Sequence, residues 1–294
     1  MMSRAPNRVP RVAAIHDLSC FGRCALTVIM PTLSVMGLQC IPLPTALLST
    51  HTGGFTDMHF LDLSDSMEKI GDHFDTLPLT FDAIYSGFLG SARQIGIVSD
   101  FIDRFRGERD ARALVLVDPV MGDDGKLYAT YTEELQEGMR HLCEKADLIT
   151  PNLTEACFLT GTPWRDTSDM TEEEAERYAG SLARSMTAFG AKQIVLTGVP
   201  HGDRIGTYIL DGSGAEEQTC FYSVARRPKS FPGTGDIFAS VLLGALMRGE
   251  CAVRAAATAA DFVGEVISYS MACGEPTRDG VLLEPMLGKL IQGE

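Results

Sequence analysis

Short apolar runs alternate along this chain with longer stretches in which apolar positions recur at helical spacing. The runs at Val12–Ile15, Cys40–Pro44, Asp82–Ser86, Ala113–Asp118, Asp147–Thr150 and Gln193–Gly198 read as strands. Helical patterns occupy the intervals at Ala25–Met36, Asp62–Phe74, Arg93–Phe105, Glu133–Lys145 and Glu172–Phe189. This alternation predicts a three-layer α/β fold, a doubly wound, mainly parallel sheet with helices on both faces. After Gly198 the rhythm changes. Ile205–Leu210 and Thr219–Val224 flank an Asp211-Gly212-Ser213-Gly214 turn and predict an antiparallel hairpin, with three helices to finish the chain.

Open sheets of this type gather ligands outside the carboxyl ends of their strands. Here those ends carry polar or glycine residues: Asp17 after the first strand, then Ser86-Gly87, Asp118-Pro119, Thr150-Pro151-Asn152 and Thr197-Gly198. The recurrence outlines a cleft.

Composition narrows what such a cleft can hold. The 294 residues are 45% hydrophobic and 22% charged, an ordinary globular balance, without repeats, low-complexity tracts or Gly/Ser-rich linkers. Residues 12–294 are therefore expected to form a single domain behind a flexible tail at 1–11. A formal net charge of −14 argues against nucleic acid or an anionic membrane as partner, because both need a basic footprint. A polyanion such as ATP would have to be held by backbone N–H groups, metal ions and a few local cations. None of the eight cysteines forms a CxxC pair, and they read as buried free thiols of a reducing cytoplasm. No apolar segment suited to a signal peptide follows the tail, and no run nears the roughly 18 apolar residues of a membrane span.

The sharpest chemistry lies at Phe231-Pro232-Gly233-Thr234-Gly235-Asp236. This segment leads straight into Ile237–Leu246, a stretch apolar on nearly every face that reads as a buried helix. The helix start offers unpaired N–H groups and the positive end of the dipole. Glycines at 233 and 235 let a phosphate approach the backbone and permit dihedrals closed to other residues. A phosphoryl group in transfer spreads negative charge over its oxygens, which fixed donors suit. Asp236, in the first turn, can take a proton from an attacking hydroxyl. The same residues would also serve as a tight turn with a helix cap. Likewise Asn152 and Glu155, three apart in Thr150-Pro151-Asn152-Leu153-Thr154-Glu155, have the spacing of a capping box.

Gly-Thr-Gly-Asp at the start of a buried helix resembles the C-terminal signature of the ribokinase-like superfamily, matched position for position by Gly233, Thr234, Gly235 and Asp236. The resemblance implies Asp236 as catalytic base and the preceding amides as an anion hole. No Walker-A motif occurs, which excludes a P-loop kinase. Thr150–Glu155 resembles the TPNxxE element of the same superfamily. It implies that Asn152 and Glu155 organise Mg²⁺ largely through water, a role compatible with the capping box and with an ion that keeps its waters. Asp118-Pro119-Val120-Met121-Gly122-Asp123 resembles the DPVxGD element. It implies that Asp118 faces the phosphates or metal, and that Gly122, Asp123 and Gly125 make a mobile flap closed by Tyr128. Thr150 and Thr197, at their strand ends, are expected beside the nucleotide. ATP and Mg²⁺ are the implied cofactors, and a monovalent cation such as K⁺ is common in the superfamily.

Ile15-His16-Asp17-Leu18-Ser19-Cys20-Phe21-Gly22-Arg23, Leu48-Ser49-Thr50-His51-Thr52-Gly53-Gly54 and Ser86-Gly87-Phe88-Leu89-Gly90-Ser91 are similar to the pyridoxal kinase branch. Together the motifs span nearly the whole chain. They imply phosphorylation of the hydroxymethyl group of a vitamin B6 vitamer, with Asp17 and Thr52 bonding the pyridine substituents and Phe88 packing on the ring. His51 reads equally as a ligand contact or as a histidine satisfied by loop backbone. Members of the branch carry Ser at the position of Asp17 and Tyr at that of Phe88, and a carboxylate there leads us to expect a relative preference for pyridoxamine. Two other readings stay open: a hydroxymethylpyrimidine kinase, whose Gly-Ile-Gln-Ala-Asp segment this chain lacks, and a non-catalytic vitamer-binding protein. The resemblance further implies a cytoplasmic homodimer.

Overall fold

In the computed structural model the described residues are 8–107, 112–128 and 131–291. Most of the tail expected at 1–11 lies outside them, and Arg8 pairs with Asp82 at 2.8 Å. The chain opens with β1 (Arg11–Phe21), α1 (Leu26–Val35), β2 (Gln39–Thr50), β3 (Phe60–Asp62) and α2 (Ser64–Asp75). It continues through β4 (Ala83–Ser86), α3 (Ala92–Phe105), β5 (Leu114–Val117), β6 (Gly122–Asp123), β7 (Lys126–Leu127) and α4 (Glu133–Cys143). Next come β8 (Leu148–Ile149), α5 (Leu153–Thr160), α6 (Glu172–Met186) and β9 (Gln193–His201). The last elements are β10 (Arg204–Asp211), β11 (Gln218–Ala225), α7 (Thr234–Met247) and α8 (Ala252–Ala272).

One nine-stranded sheet has the order β11-β10-β9-β8-β5-β4-β1-β2-β3. From β2 across to β9 the strands are parallel. β3 closes one edge antiparallel to β2, and β10 and β11 extend the other as the expected hairpin. β6 and β7 form a separate two-stranded antiparallel sheet. The order reverses between β1 and β4, and a crevice outside their carboxyl ends is where such sheets bind ligands.

Residues on β1 show why the strands read as unbroken apolar runs. Val12 and Ala14 pack into the core beneath α1, α7 and α8, whereas Ala13 and Ile15 pack into the core beneath α2 to α6. A strand covered on both faces has no polar side to alternate with. Burial of each branched side chain stabilises by about 1.5–3 kcal/mol, so a charge at Ile15, fully buried, would break the layer.

Three expectations need correction. β1 and β2 run far past Ile15 and Pro44, so Asp17 lies inside a strand, at a register shift between His16 and Leu18. Pro42 and Pro44 are tolerated because β3 pairs only with Ala46–Leu48, leaving β2 a neighbour on one side at the prolines. The third C-terminal helix is a 3-10 segment, Glu284–Leu290, with Pro285 in its first turn. Of the eight free thiols only Cys24, Cys143 and Cys157 are buried; Cys20, Cys251 and Cys273 are exposed. Among the described residues no helix is long and apolar enough to cross a membrane.

Candidate active site

The start of α7 is built around one obligatory glycine. Gly233 adopts φ +78°, and a Cβ on it would lie 2.1 Å from the carbonyl oxygen of Arg23. Gly235 differs: its φ is ordinary, and a Cβ there would meet nothing within 4 Å. Both glycines were expected to need special dihedrals; only Gly233 does, and Gly235 leaves open space before the helix. Among the described residues, the N–H groups of Thr234, Gly235 and Asp236 donate to no protein acceptor, the first helical bond being Ile237 N–H to Gly233 O at 3.0 Å. The Thr234 hydroxyl turns back to Phe231 O at 3.0 Å. The turn therefore presents amides rather than a hydroxyl.

Asp236 is half-engaged. Its Oδ2 accepts the N–H of Ala25 at 2.8 Å. Among the described residues its Oδ1 takes no hydrogen bond, and it is not sealed from solvent. Burial pushes its pKa to about 7, the Ala25 N–H holds it down, and the charge of Asp17 adds to the rise. A carboxyl group titrating near neutrality suits proton acceptance from an alcohol.

The nucleotide-side residues form a closed network. Asn152 caps α5 and Glu155 reaches back to its N–H at 2.8 Å, completing the capping box. The other Glu155 oxygen accepts the N–H of Met121 at 3.0 Å, and Asn152 Nδ2 donates to Gly122 O at 2.8 Å. The cap residue and the first turn of α5 thus fasten the Asp118–Asp123 segment to the helix start. Asp118 Oδ1 accepts the Thr150 hydroxyl at 3.0 Å. Burial raises the pKa of Asp118, with the Asp236 charge adding, and burial raises Glu155, with Asp118 adding. Thr197 stands beside Asn152 in an isolated parallel bridge. Asp123 and Tyr128 are exposed on and just after the β6–β7 hairpin. Tyr128 still lies close enough for Glu155, Asp123, Asp236 and Asp118 to raise its pKa, after burial.

These groups suit a hard cation that keeps its waters. Asp118 offers buried carboxylate oxygen beside Asp236, while no cluster of three or more His, Cys, Asp or Glu makes a protein cage among the described residues. Both Glu155 oxygens already hold backbone N–H groups, so its influence on an ion runs through the segment it fastens or through water.

On the acceptor side, Asp17 is buried and accepts the Ser19 hydroxyl at 2.9 Å. Burial raises its pKa. His16 lies fully buried edge-on to Tyr85, with ring centroids 4.3 Å apart, and among the described residues neither ring nitrogen has a hydrogen-bond partner. Desolvation lowers it to about 3, which keeps the ring neutral. A Cβ at Gly87 would sit 2.4 Å from that ring, so Gly87 is what lets the loop carrying half-buried Phe88 lie down there. Thr52 is exposed in the loop after β2. His51 is satisfied by backbone: Nε2 lies 2.7 Å from Arg278 O, and Nδ1 accepts Gly53 N–H at 3.0 Å.

Asp236 lies close enough to Asp118 for its charge to raise that carboxyl, and Asp17 lies close enough to Asp236 to do the same, so Asp236 links the two sides. Thr52, Asp123 and Tyr128 stand at the margin. The Ala25 N–H that holds Asp236 was missed, since a backbone donor leaves no mark in side-chain patterns.

The phosphomethylpyrimidine kinase family model matches residues 14–279. The chain is 31% identical to pyridoxal kinase PdxY of Pasteurella multocida over 257 residues, 81% of each protein. A Bacteroides thetaiotaomicron structure named for phosphomethylpyrimidine kinase, in a crystal form with pyridoxal, superposes with a TM-score of 0.88 at 41% identity, over 98% of this chain and 97% of that one. Pyridoxal kinase from Lactobacillus plantarum gives 0.84 at 31% identity, over 97% of both.

Proposed function

The chain belongs to the phosphomethylpyrimidine kinase family, and on that premise we propose that it phosphorylates a vitamin B6 vitamer. The γ-phosphoryl group of ATP passes to the hydroxymethyl oxygen of pyridoxal, pyridoxamine or pyridoxine, giving the 5′-phosphate. Similarity to pyridoxal kinases and to a protein crystallised with pyridoxal supports this substrate class. The observation that carries the reading is the half-engaged carboxylate of Asp236, anchored through Oδ2 and open at Oδ1, beside unpaired helix-start amides.

Asp236 Oδ1 receives the hydroxyl proton as the oxygen–phosphorus bond forms and the bond to the β,γ-bridging oxygen breaks. The N–H groups of Gly233, Thr234 and Gly235 receive the charge that spreads over the phosphoryl oxygens. Asp17 and Thr52 bond the ring substituents, and Phe88 packs on the ring face. Asp118 and Thr150 border the phosphates, with Asn152, Thr197, Asp123 and Tyr128 farther along the nucleotide. Asp118 would hold Mg²⁺, with Glu155 acting through water, and the bound ion would neutralise phosphate charge. A K⁺ ion near the nucleotide, a homodimer and a cytoplasmic setting complete the proposal.

Similarity to a hydroxymethylpyrimidine/phosphomethylpyrimidine kinase of Bacillus subtilis favours a second reading, phosphorylation of a hydroxymethylpyrimidine. One assay separates them: ATP consumption with pyridoxal, pyridoxine, pyridoxamine and hydroxymethylpyrimidine, each product identified. We expect turnover with the vitamers to exceed that with the pyrimidine. The reverse order would transfer the assignment to the pyrimidine, and ligand binding without ATP consumption would end the kinase reading.

A further inference from the structure

The main chain at Arg23 is wedged between two glycines. On one side is Gly233 at the start of α7, where a Cβ would strike the Arg23 carbonyl oxygen. On the other is Gly280, at φ +82°, where a Cβ would fall 2.7 Å from Arg23 Cβ and 2.8 Å from the same carbonyl oxygen. The Arg23 N–H donates to Asp279 O at 3.1 Å. Its guanidinium reaches the same C-terminal segment, with Nη1 2.8 Å from Glu275 Oε1 and Nε 2.9 Å from Glu284 Oε1.

Two residues on, Ala25 has φ +48° and ψ −135°. Such a conformation costs a non-glycine residue about 1–3 kcal/mol and persists only where the surroundings over-determine it. The N–H that it aims is the one bonded to Asp236 Oδ2. Ala25 is the N-cap of α1, its carbonyl oxygen accepting the N–H groups of Val28 and Ile29 at 3.1 and 3.0 Å, but an N-cap ordinarily does this from the β region, so the helix start does not call for positive φ.

We propose that Arg23, clasped mainly by Glu275, is a positioning residue for phosphoryl transfer: it holds the Gly22–Ala25 turn in the strained form that directs the Ala25 N–H at Asp236. Glu275 takes precedence over Glu284 because its side chain is 20% exposed against 66%, and solvent screens the more exposed pair. The proposal rests on Asp236 being the base. Its consequence is electrostatic as well as geometric, for the Ala25 N–H stabilises the charged carboxylate. The other titratable groups facing Asp236 are Asp17 on β1, Cys24 in the turn, Tyr85 on β4, Asp118 after β5 and Tyr128 after the hairpin. None of them bonds to the Arg23 side chain.

The experiment is a pH profile of kcat/KM for vitamer phosphorylation by full-length Arg23→Ala, Arg23→Lys and Glu275→Gln, with thermal midpoints measured alongside. Arg23→Ala should lower kcat at neutral pH by roughly 10- to 100-fold, the scale of a misplaced reacting group. Its acid limb should move upward by about half a unit or more, as expected when a bond to the charged form is lost. Glu275→Gln should move both readouts the same way by less, and Arg23→Lys should recover part of each. A folded Arg23→Ala whose acid limb coincides with that of the parent overturns the proposal, even if kcat falls. Should Arg23→Ala not fold, an unmoved limb in Glu275→Gln does the same. Asp236→Asn separates this failure from that of the base assignment: full turnover there removes the base, whereas a dead Asp236→Asn with an unmoved Glu275→Gln limb removes only the clasp.

Discussion

Two carboxylates, Glu155 and Asp236, each occupy the first turn of a helix, and burial lifts both pKa values. Their hydrogen bonding separates them. Glu155 accepts a backbone N–H on each oxygen, from Asn152 and from Met121, and so ties α5 to the segment that follows β5. Asp236 accepts one, from Ala25, and leaves Oδ1 free to take a proton. A buried carboxylate saturated by main-chain donors organises its surroundings; one left half-satisfied, beside helix-start amides, has capacity for chemistry.

The largest test of this contrast is Asp236→Asn. The amide oxygen can keep the Ala25 bond, so the thermal midpoint should stay near that of the parent while kcat falls by at least ~10²-fold, the range for loss of a general base. Undiminished turnover would erase the distinction between the two residues.

Acidity should sharpen it. With Asp236 titrating near 7, kcat/KM should fall as pH drops below that value, approaching about tenfold per unit. Stability should run the opposite way. A carboxyl group raised in the folded state binds a proton that the unfolded chain has released, so its contribution is full below the ordinary carboxylate range and is lost as pH climbs through about 7. Asp118, Asp17 and Glu155 shift in the same direction. The thermal midpoint of the ligand-free chain should therefore decline from mildly acid to mildly alkaline pH, and a flat profile would contradict the buried-carboxylate account.

Glu155→Gln addresses the other half of the contrast. Its amide group would face a backbone N–H that it cannot accept, a loss of about 1–3 kcal/mol for an unsatisfied buried group. We expect a lower thermal midpoint and a fall in kcat smaller than that of Asp236→Asn. A dead variant with an unchanged midpoint would make Glu155 a chemical participant.

The smallest effect concerns the acceptor wall. Asp17→Ser should reduce the ratio of kcat/KM for pyridoxamine over pyridoxal by roughly 3- to 10-fold, on the scale of one charge-assisted hydrogen bond. An unaltered ratio would detach Asp17 from vitamer choice.

Legibility differed across the molecule for physical reasons. The parallel strands were readable because covered strands must be apolar on both faces, and the start of α7 because Gly-Thr-Gly-Asp before an apolar helix is a local pattern. β3 escaped notice because three exposed residues carry no period, and the far half of β1 because Asp17, Ser19 and Cys20 read as a loop. Thr52 and Phe88 came only from family resemblance, since nothing local marks either as a ligand contact.

Sequence by itself determined the layer architecture, the position of the Gly233 turn and the placing of Asp236 in the first turn of a buried helix, all properties of neighbouring residues. Only the tertiary structure decided which carboxylate remained open. That choice depends on donors contributed from afar, Ala25 N–H for Asp236 and Met121 N–H for Glu155, separated from their acceptors by 211 and 34 positions. Backbone donors are alike in every residue but proline, so their allocation is settled by where the chain lies in space.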